Sequence, residues 1–235
     1  MPNRKIKSVT NWMPRIHREG YPFICVFIVI TVLAGVVAKP LGWLGLALTV
    51  WCVVFFRDPK RTTISSPRVI VAPADGRVSC VQSVSPPPEL GLSQKEFVRV
   101  SIFMNAFNCH VNRSPITGSI RKIKYRPGKF VNATLDKASE GNECNGIVIA
   151  NNMCTIAVIQ IAGFIARRIV SWVKEGQELA AGERFGMIRF GSRLDVYVPK
   201  DVYVLVSVGQ TTVAGETIIA TLEQSIDTES TYHTS

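Results

Sequence analysis

Val173-Lys-Glu-Gly-Gln-Glu-Leu-Ala-Ala-Gly-Glu183 returns 33 residues later as Val206-Ser-Val-Gly-Gln-Thr-Thr-Val-Ala-Gly-Glu216. Valine, both glycines, glutamine, alanine and glutamate keep their places. Glycine recurring at two fixed positions marks turns that need positive φ, each set beside strands. Two copies are too few for a solenoid, so the pattern reads as two related hairpins packed in one antiparallel β core. The chain around them agrees. Short runs rich in β-branched residues, at 69–72, 77–82, 97–104, 119–125, 146–150, 154–162, 195–200 and 202–208, alternate with turn residues. Pro86-Pro87-Pro88 marks a loop, and helical periodicity is absent from this region apart from a turn or two near 93–96. The body is expected to be mainly β.

Ahead of the body the pattern changes. Residues 23–38 (FICVFIVITVLAGVVA) and 41–56 (LGWLGLALTVWCVVFF) are nearly unbroken apolar runs, separated by Lys39-Pro40. At 1.5 Å rise, a run of roughly 16 residues makes a helix of about 24 Å, short of the ~30 Å hydrocarbon core. The pair is expected to form an α-helical hydrophobic hairpin that crosses thinly or dips into one leaflet. Arg4, Lys5, Lys7, Arg15 and Arg18 precede it, and Arg57, Lys60 and Arg61 follow, which keeps both ends on the cytoplasmic side. A cleaved signal peptide would need a small-residue cleavage site after the first run, where here a second run begins. A buried hairpin in a soluble core would leave both helices apolar all round. The chain thus reads as a basic leader (1–22), a membrane hairpin (23–56) and a β-rich body (57–235).

Over 235 residues, hydrophobic side chains make up 47% and charged ones only 19%, a balance that fits a membrane segment. Lysine and arginine outnumber acids 27 to 17, and the net charge of +10 suits an anionic partner. No zinc-finger, homeodomain or RNP-type pattern accompanies that charge, which favours anionic lipid over nucleic acid. The six cysteines form no C-x-x-C pair and read as small buried hydrophobes in a reducing compartment, with neither a disulfide frame nor a metal site.

Between the two repeat copies lies Arg189-Phe190-Gly191-Ser192-Arg193-Leu194-Asp195. On its own Gly-Ser is a common turn dipeptide, and no G-x-S-x-G elbow surrounds Ser192. Upstream stand Val71-Ala-Pro-Ala-Asp75-Gly76-Arg-Val78, then Phe107-Asn-Cys-His110-Val-Asn-Arg-Ser-Pro115, then Pro127-Gly-Lys-Phe-Val-Asn-Ala-Thr-Leu-Asp-Lys-Ala-Ser-Glu-Gly-Asn-Glu143. Alone, Asp75-Gly76 is a good hairpin turn and His110 a hydrogen-bonded histidine at a strand edge. In this order, with the terminal F-G-S-R-x-D, the segments resemble the short single-chain form of phosphatidylserine decarboxylase. The repeat turns also resemble those of biotinyl and lipoyl carrier domains. Those carriers display a modifiable lysine, whereas this chain has Gly186-Met187-Ile188, so a carrier role is not expected.

The first resemblance implies a proenzyme that cuts itself between Gly191 and Ser192. The products are a β chain (1–191) and an α chain (192–235) that stay associated, with a higher oligomer compatible with both. Ser192 becomes a covalent pyruvoyl group, the pyruvate cofactor that forms a Schiff base with the substrate. His110 is implied as base and proton donor, Asp75 as the acid that orients it, and no metal is implied. The reaction is conversion of phosphatidylserine to phosphatidylethanolamine and CO2 at the cytoplasmic face of a bacterial inner membrane. Partners are phosphatidylserine and anionic membrane lipid, with no nucleic acid. The long form carries Leu-Gly-Ser-Thr at the cut and a second histidine before the proline, where this chain has Phe-Gly-Ser-Arg and His110 alone. The residue types suit the chemistry. Loss of CO2 leaves a carbanion that needs an electron sink no ordinary side chain supplies. Gly191 has no Cβ to obstruct attack by Ser192. Two rivals stay in view. A pyruvoyl decarboxylase of a soluble amino acid would have no use for 23–56, and a non-catalytic tethered β module would leave Gly191-Ser192 as a turn.

Overall fold

The computed structural model describes residues 15–92, 96–128, 141–163, 168–189 and 192–223, with the backbone of 231–234. The chain divides into two compact units, Met1–Lys60 and Arg61–Ser235. In the first, α1 (Tyr21–Val37) and α2 (Lys39–Phe55) are joined through the single extended residue Ala38. Pro40 lies in the first turn of α2, where its missing N–H costs nothing and its fixed φ suits a helix start. The seam between the helices is made of small residues. A Cβ on Gly42 would lie 2.8 Å from Gly35 Cα, and one on Gly45 would lie 2.8 Å from Thr31 Oγ1. The Thr31 and Thr49 hydroxyls approach to 2.9 Å, and each also reaches the carbonyl one turn back. Small residues and hydroxyls of this kind let apolar helices associate closely.

With the 3-10 turn Arg18–Gly20, the first helical run reaches 20 residues. That is long and apolar enough to cross the ~30 Å hydrocarbon core, so this helix is longer than its apolar run alone indicates. Short strands β1 (Arg15–Ile16) and β2 (Arg57–Asp58) pair antiparallel and bring the two ends of the hairpin together.

The second unit is mainly β, with one 3-10 turn, Pro88–Leu90, among its described residues. Its strands are β3 (Thr62–Ser65), β4 (Val69–Val71), β5 (Gly76–Val84), β6 (Phe97–Met104), β7 (Val111–Arg113), β8 (Gly118–Arg126), β9 (Cys144–Ala150) and β10 (Thr155–Ala162). There follow β11 (Arg168–Ser171), β12 (Glu178–Leu179), β13 (Arg184–Arg189), β14 (Ser192–Pro199), β15 (Tyr203–Val204), β16 (Thr211–Thr212), β17 (Ile218–Thr221) and β18 (Thr231–Thr234). Eight of them form one antiparallel sheet in the order β12-β8-β9-β10-β14-β6-β5-β16. Three-stranded sheets β11-β13-β7 and β15-β17-β4 complete the core, and β18 pairs with β3. Val100, Ile102, Leu194, Val196, Ile147 and Val158 bury one face of the large sheet in the main core. Tyr197, Ile159, Ile161 and Val148 line a smaller cluster on the other face. The alternation along each strand sets this division.

The repeat read in the sequence is half of a larger duplication. Val71-Ala-Pro-Ala-Asp-Gly-Arg-Val78 corresponds to Arg113-Ser-Pro-Ile-Thr-Gly-Ser-Ile120 at an offset of 42, and both stretches turn from a three-stranded sheet into the large one. The correspondence holds bond for bond. Val78 N donates to Gln210 O, and Ile120 N to Gln177 O, each at 2.9 Å. Across the approximate twofold axis, Val71 N donates to Pro115 O and Arg113 N donates to Pro73 O, again at 2.9 Å. Gly182 and Gly215, both at positive φ (78° and 77°), face one another there, with 3.4 Å from an added Gly215 Cβ to Gly182 Cα. Gly176 and Gly209 are also at positive φ, as the sequence pattern requires.

Two local expectations change. Asp75-Gly76 is not a hairpin turn. It is the corner where the chain passes from β4 to β5, strands of different sheets, and a Cβ on Gly76 would lie 2.3 Å from Phe103 O. Of the valine-rich 202–208, only Tyr203–Val204 is strand, because the residues after it enter the turn at Gly209. Of the helical turn expected near 93–96, residues 93–95 lie outside the described residues. Cys52, Cys109 and Cys144 are buried, while Cys25 is exposed and Cys80 and Cys154 are intermediate.

Candidate active site

Ser192 opens β14, the strand at the middle of the large sheet. It sits opposite Met104 of β6 on one side and Ala162 of β10 on the other. Its side chain is fully buried on the main-core face, and Oγ has no hydrogen-bond partner among the described residues. A buried hydroxyl left without a partner costs ~1–3 kcal/mol, so its place in the fold calls for a reason other than stability. Gly191, the other half of the expected cleavage pair, lies outside the described residues, as does Phe190.

His110 is brought to the same end of the sheet. It precedes β7, and its carbonyl accepts from Ile188 N of β13, the strand whose end leads into β14. The imidazole is fully buried, and Nδ1 lies 3.0 Å from Asn108 O. A carbonyl can only accept, so Nδ1 carries a proton, and in the neutral ring the lone pair is on Nε2. The loop that holds this carbonyl is locked by two asparagines. Asn105 N donates to Asn108 Oδ1, and Phe107 N donates to Asn105 Oδ1, each at 2.8 Å.

Asp75 reaches that end from the opposite flank. One row of paired residues, Arg77, Phe103, Arg193, Ile161 and Cys144, crosses five strands just inside Ser192. Asp75 stands two residues before the first of them. The described contacts of its carboxylate lie on its own flank. Oδ1 accepts from Ala214 N at 2.8 Å, and Oδ2 pairs with Arg61 Nη2 at 2.7 Å. The corner geometry sets these contacts, since the repeat turn at 213–216 offers its amide to Asp75.

Residues with no role assigned from the sequence complete this end. Asn145 Nδ2 donates to Gln160 Oε1 at 2.9 Å, Gln160 Nε2 donates to Asn112 Oδ1 at 2.8 Å, and Asn112 Nδ2 lies 3.7 Å from Met104 Sδ. All three amides are buried. Amides at core-facing positions within apolar strands were the available signal. On the other face of β14, Arg193 Nη2 donates to Asp195 Oδ2 at 3.0 Å. Nε lies 2.9 Å from Oδ1, close enough to pair but off the N–H axis. Burial above all, opposed by Arg193, Ser101 and Arg99, pushes the Asp195 carboxyl above the ordinary carboxylate range. The R-x-D of the sequence is thus a buried ion pair that holds the strand behind Ser192. Among the described residues no group of three His, Cys, Asp or Glu side chains gathers as a metal would need.

The duplicated β body thus places a buried serine and a buried histidine at one end of its central sheet. Residues 48–220 match the family model for phosphatidylserine decarboxylase, and the chain belongs to that family. It is a decarboxylase of phospholipid biosynthesis, acting on phosphatidylserine. The match begins inside α2 and ends inside β17, so it covers the duplicated body and leaves α1 outside. The family is a pyruvoyl-dependent one.

Proposed function

We propose that this chain is a self-processing proenzyme of the short single-chain form, cut between Gly191 and Ser192, with Ser192 the source of its pyruvoyl group. The observation that carries the proposal is Ser192 itself, a fully buried hydroxyl without a partner among the described residues, opening the central strand. His110 Nε2 takes the Oγ proton, and Oγ attacks the Gly191 carbonyl carbon to exchange an amide for an ester. Loss of the Ser192 α-proton then releases residues 1–191. Hydrolysis leaves a ketone at the head of 192–235 and frees ammonia. That ketone, once formed, supplies the electron sink that loss of CO2 requires. The residues present fit it: β14 begins at Ser192 and keeps its full length after the cut, paired with β6 and β10 on either side, so the new terminus is held and enclosed. His110 is the proton donor of turnover.

The two chains have reason to stay together after the cut. The α chain supplies β14 to the middle of the large sheet, β16 to its edge, β17 to the sheet of β4, and β18 to β3. Separation would break every one of these ladders. The helical hairpin, with Val29, Val32, Leu33, Val36 and Trp43 exposed, serves as the anchor in a bacterial inner membrane. Its joined basic ends lie at the cytoplasmic side, where phosphatidylserine and anionic lipid are the partners. Intact mass of the purified protein tests the reading. The expected result is a 44-residue fragment (235 − 192 + 1) with a blocked terminus that traps with borohydride and an amine. A single intact chain with unmodified Ser192 in an active preparation would sink it.

A further inference from the structure

Pro86-Pro87-Pro88 carries no N–H and holds the chain extended, with Pro87 at φ −55° and ψ 128°. These prolines belong to a strap, residues 84–90, that leaves the end of β5 and crosses the sheet face turned away from Ser192. At its far end Leu90 joins the smaller cluster on that face, and Glu89 pairs with Arg126 of β8 at 3.3 Å. Beneath the strap lies a trough of about 780 Å³. That volume falls within the ~300–1,000 Å³ of small-molecule sites.

The floor of the trough lacks one side chain. Gly146 lies inside β9, paired with Ile159 on one side and Lys124 on the other, with no positive φ and no register shift at its place. Backbone geometry gives glycine no reason to be there, and a strand-interior glycine weakens its ladder. What it provides is room, of which the tip of Leu90 takes part: an added Cβ would come 2.6 Å from Leu90 Cδ2. The walls divide by chemistry. Val84, Ile159 and the prolines offer no donor, and Tyr197 adds the body of its ring. Against them stand three cations, Arg99, Lys124 and Arg126, and one acid, Glu89, among the described residues. Lys124 is exposed and Arg126 half-buried, so the β8 pair marks the open end. Arg99 is buried across the sheet on β6, beside its cross-strand partner Tyr197, and its Nη2 donates to Gln82 Oε1 at 3.4 Å. A charged mouth over an apolar interior, with positive charge in surplus, matches an alkyl chain bearing an anionic head. Arg126 already takes a carboxylate at that mouth, the one on Glu89.

We propose that this trough is an accessory binding site for a fatty acid, its carboxylate on Lys124 and Arg126 and its chain beneath the proline strap along Ile159 and Tyr197. The site lies on the opposite face of the large sheet from Ser192 and uses none of the residues assigned to catalysis. Self-cleavage plays no part in it.

Photolabelling of the full chain in phosphatidylcholine nanodiscs tests it, with a diazirine-bearing dodecanoic acid as the probe and peptide mass mapping as the readout. Label should fall on residues 84–90, Ile159 and Tyr197. Excess dodecanoate should remove it, whereas dodecyltrimethylammonium, with the same chain and the opposite charge, should not. Lys124→Gln with Arg126→Gln keeps the trough and removes the charge at its mouth. Gly146→Leu keeps the charge and fills the trough. Each should lower labelling of 84–90 about tenfold or more, the weakening expected when a charge-assisted contact or the space for a chain is lost. If Gly146→Leu does not fold, the double glutamine variant decides alone. Label confined to the helices at 21–55, equal displacement by both amphiphiles, or undiminished label in the variants overturns the assignment. So does an unlabelled strap in a chain that cross-links to a second copy through 84–90, since a partner protomer would then cover the trough.

Discussion

Asp75 and Thr117 occupy the same place in two copies of one corner. Asp75 Oδ1 accepts from Ala214 N at 2.8 Å, and Thr117 Oγ1 accepts from Ala181 N at 3.0 Å. Ala214 and Ala181 are themselves equivalent in the 33-residue repeat. The fold therefore asks this position for one acceptor oxygen, and a threonine suffices. What Asp75 adds is its second oxygen, which holds Arg61.

That equivalence separates structure from chemistry in a single substitution. Asp75→Thr should keep the bond to Ala214 and fold with stability near the parent's. Thr117→Val, which removes the matching bond, should cost about 0.5–1.5 kcal/mol and leave self-cleavage unchanged. If the second oxygen of Asp75 serves the reaction, Asp75→Thr matures or turns over far more slowly despite its intact fold. Chemical unfolding and fragment mass on the same samples decide it. Normal maturation and turnover in Asp75→Thr would confine Asp75 to the corner.

The Arg193–Asp195 pair yields a prediction in pH. Arg193→Met, made in uncut Ser192→Ala so that one chain is measured, leaves Asp195 buried without its main cation. Breaking one side of such a pair costs about 3–5 kcal/mol. The folded-state pKa of Asp195 is raised, and losing Arg193 raises it further. A carboxyl raised on folding contributes stability that is fully present below its unfolded value, ~3.9, and lost as pH rises through the folded value. The variant should therefore be less destabilised at pH 5 than at pH 8 in urea titrations. Adding Asp195→Leu should recover most of the loss at both pH values, because no buried charge then remains. Equal destabilisation at both pH values would count against a buried, ionised Asp195.

In the hairpin, the 2.9 Å approach of Thr31 and Thr49 rests on glycine. Thr31→Cys with Thr49→Cys should cross-link under mild oxidation, since side chains this close bring Cβ atoms near the ~3.8 Å of a disulfide. Gly42→Leu should abolish the cross-link, as its side chain would collide with Gly35. Cross-linking that survives Gly42→Leu would place the seam elsewhere.

Most strands of the body were legible because β-branched runs broken by turn residues have few other solutions, and the eight-residue run 97–104 is strand from end to end. The 33-residue repeat was legible because its glycines must stay glycine. The 42-residue repeat was not, since its copies share little beyond Pro73/Pro115 and Gly76/Gly118 and preserve a backbone path more than side chains. At the site, residue types pointed to Ser192, His110 and Asp75, but their contacts did not follow. The group that orients His110 is the carbonyl of Asn108, and a backbone carbonyl leaves no mark on a sequence. Arg61 lies 14 residues from Asp75 with no period linking them. Asn112, Asn145 and Gln160 could have been flagged as amides inside apolar strands, though their bonding order needs the sheet register.

His110 carries the last prediction, and the structure changes its form. Were Asp75 the group that fixes the imidazole, Asp75→Asn and His110→Ala would fail alike. With Nδ1 held by Asn108 O, the tautomer survives Asp75→Asn, and loosening the 105–108 loop is the change that should disturb it. Asn105→Ala removes the acceptor for Phe107 N and frees the carbonyl that orients the ring. It should slow self-cleavage, while His110→Ala should leave mostly uncut chain. Loss of a positioned base or acid costs about 10²–10⁴ in rate. Each variant is allowed days to mature, its cleaved fraction is isolated, and CO2 release is measured per trapped ketone. If matured His110→Ala equals the parent in that assay, the histidine serves processing alone. If His110→Ala also matures at the parental rate, it is not the base, and the buried imidazole is a packing residue. If Asp75→Asn matures as slowly as His110→Ala while Asn105→Ala matches the parent, the carboxylate and not the carbonyl governs the ring, and Asp75 must leave Arg61 to do so.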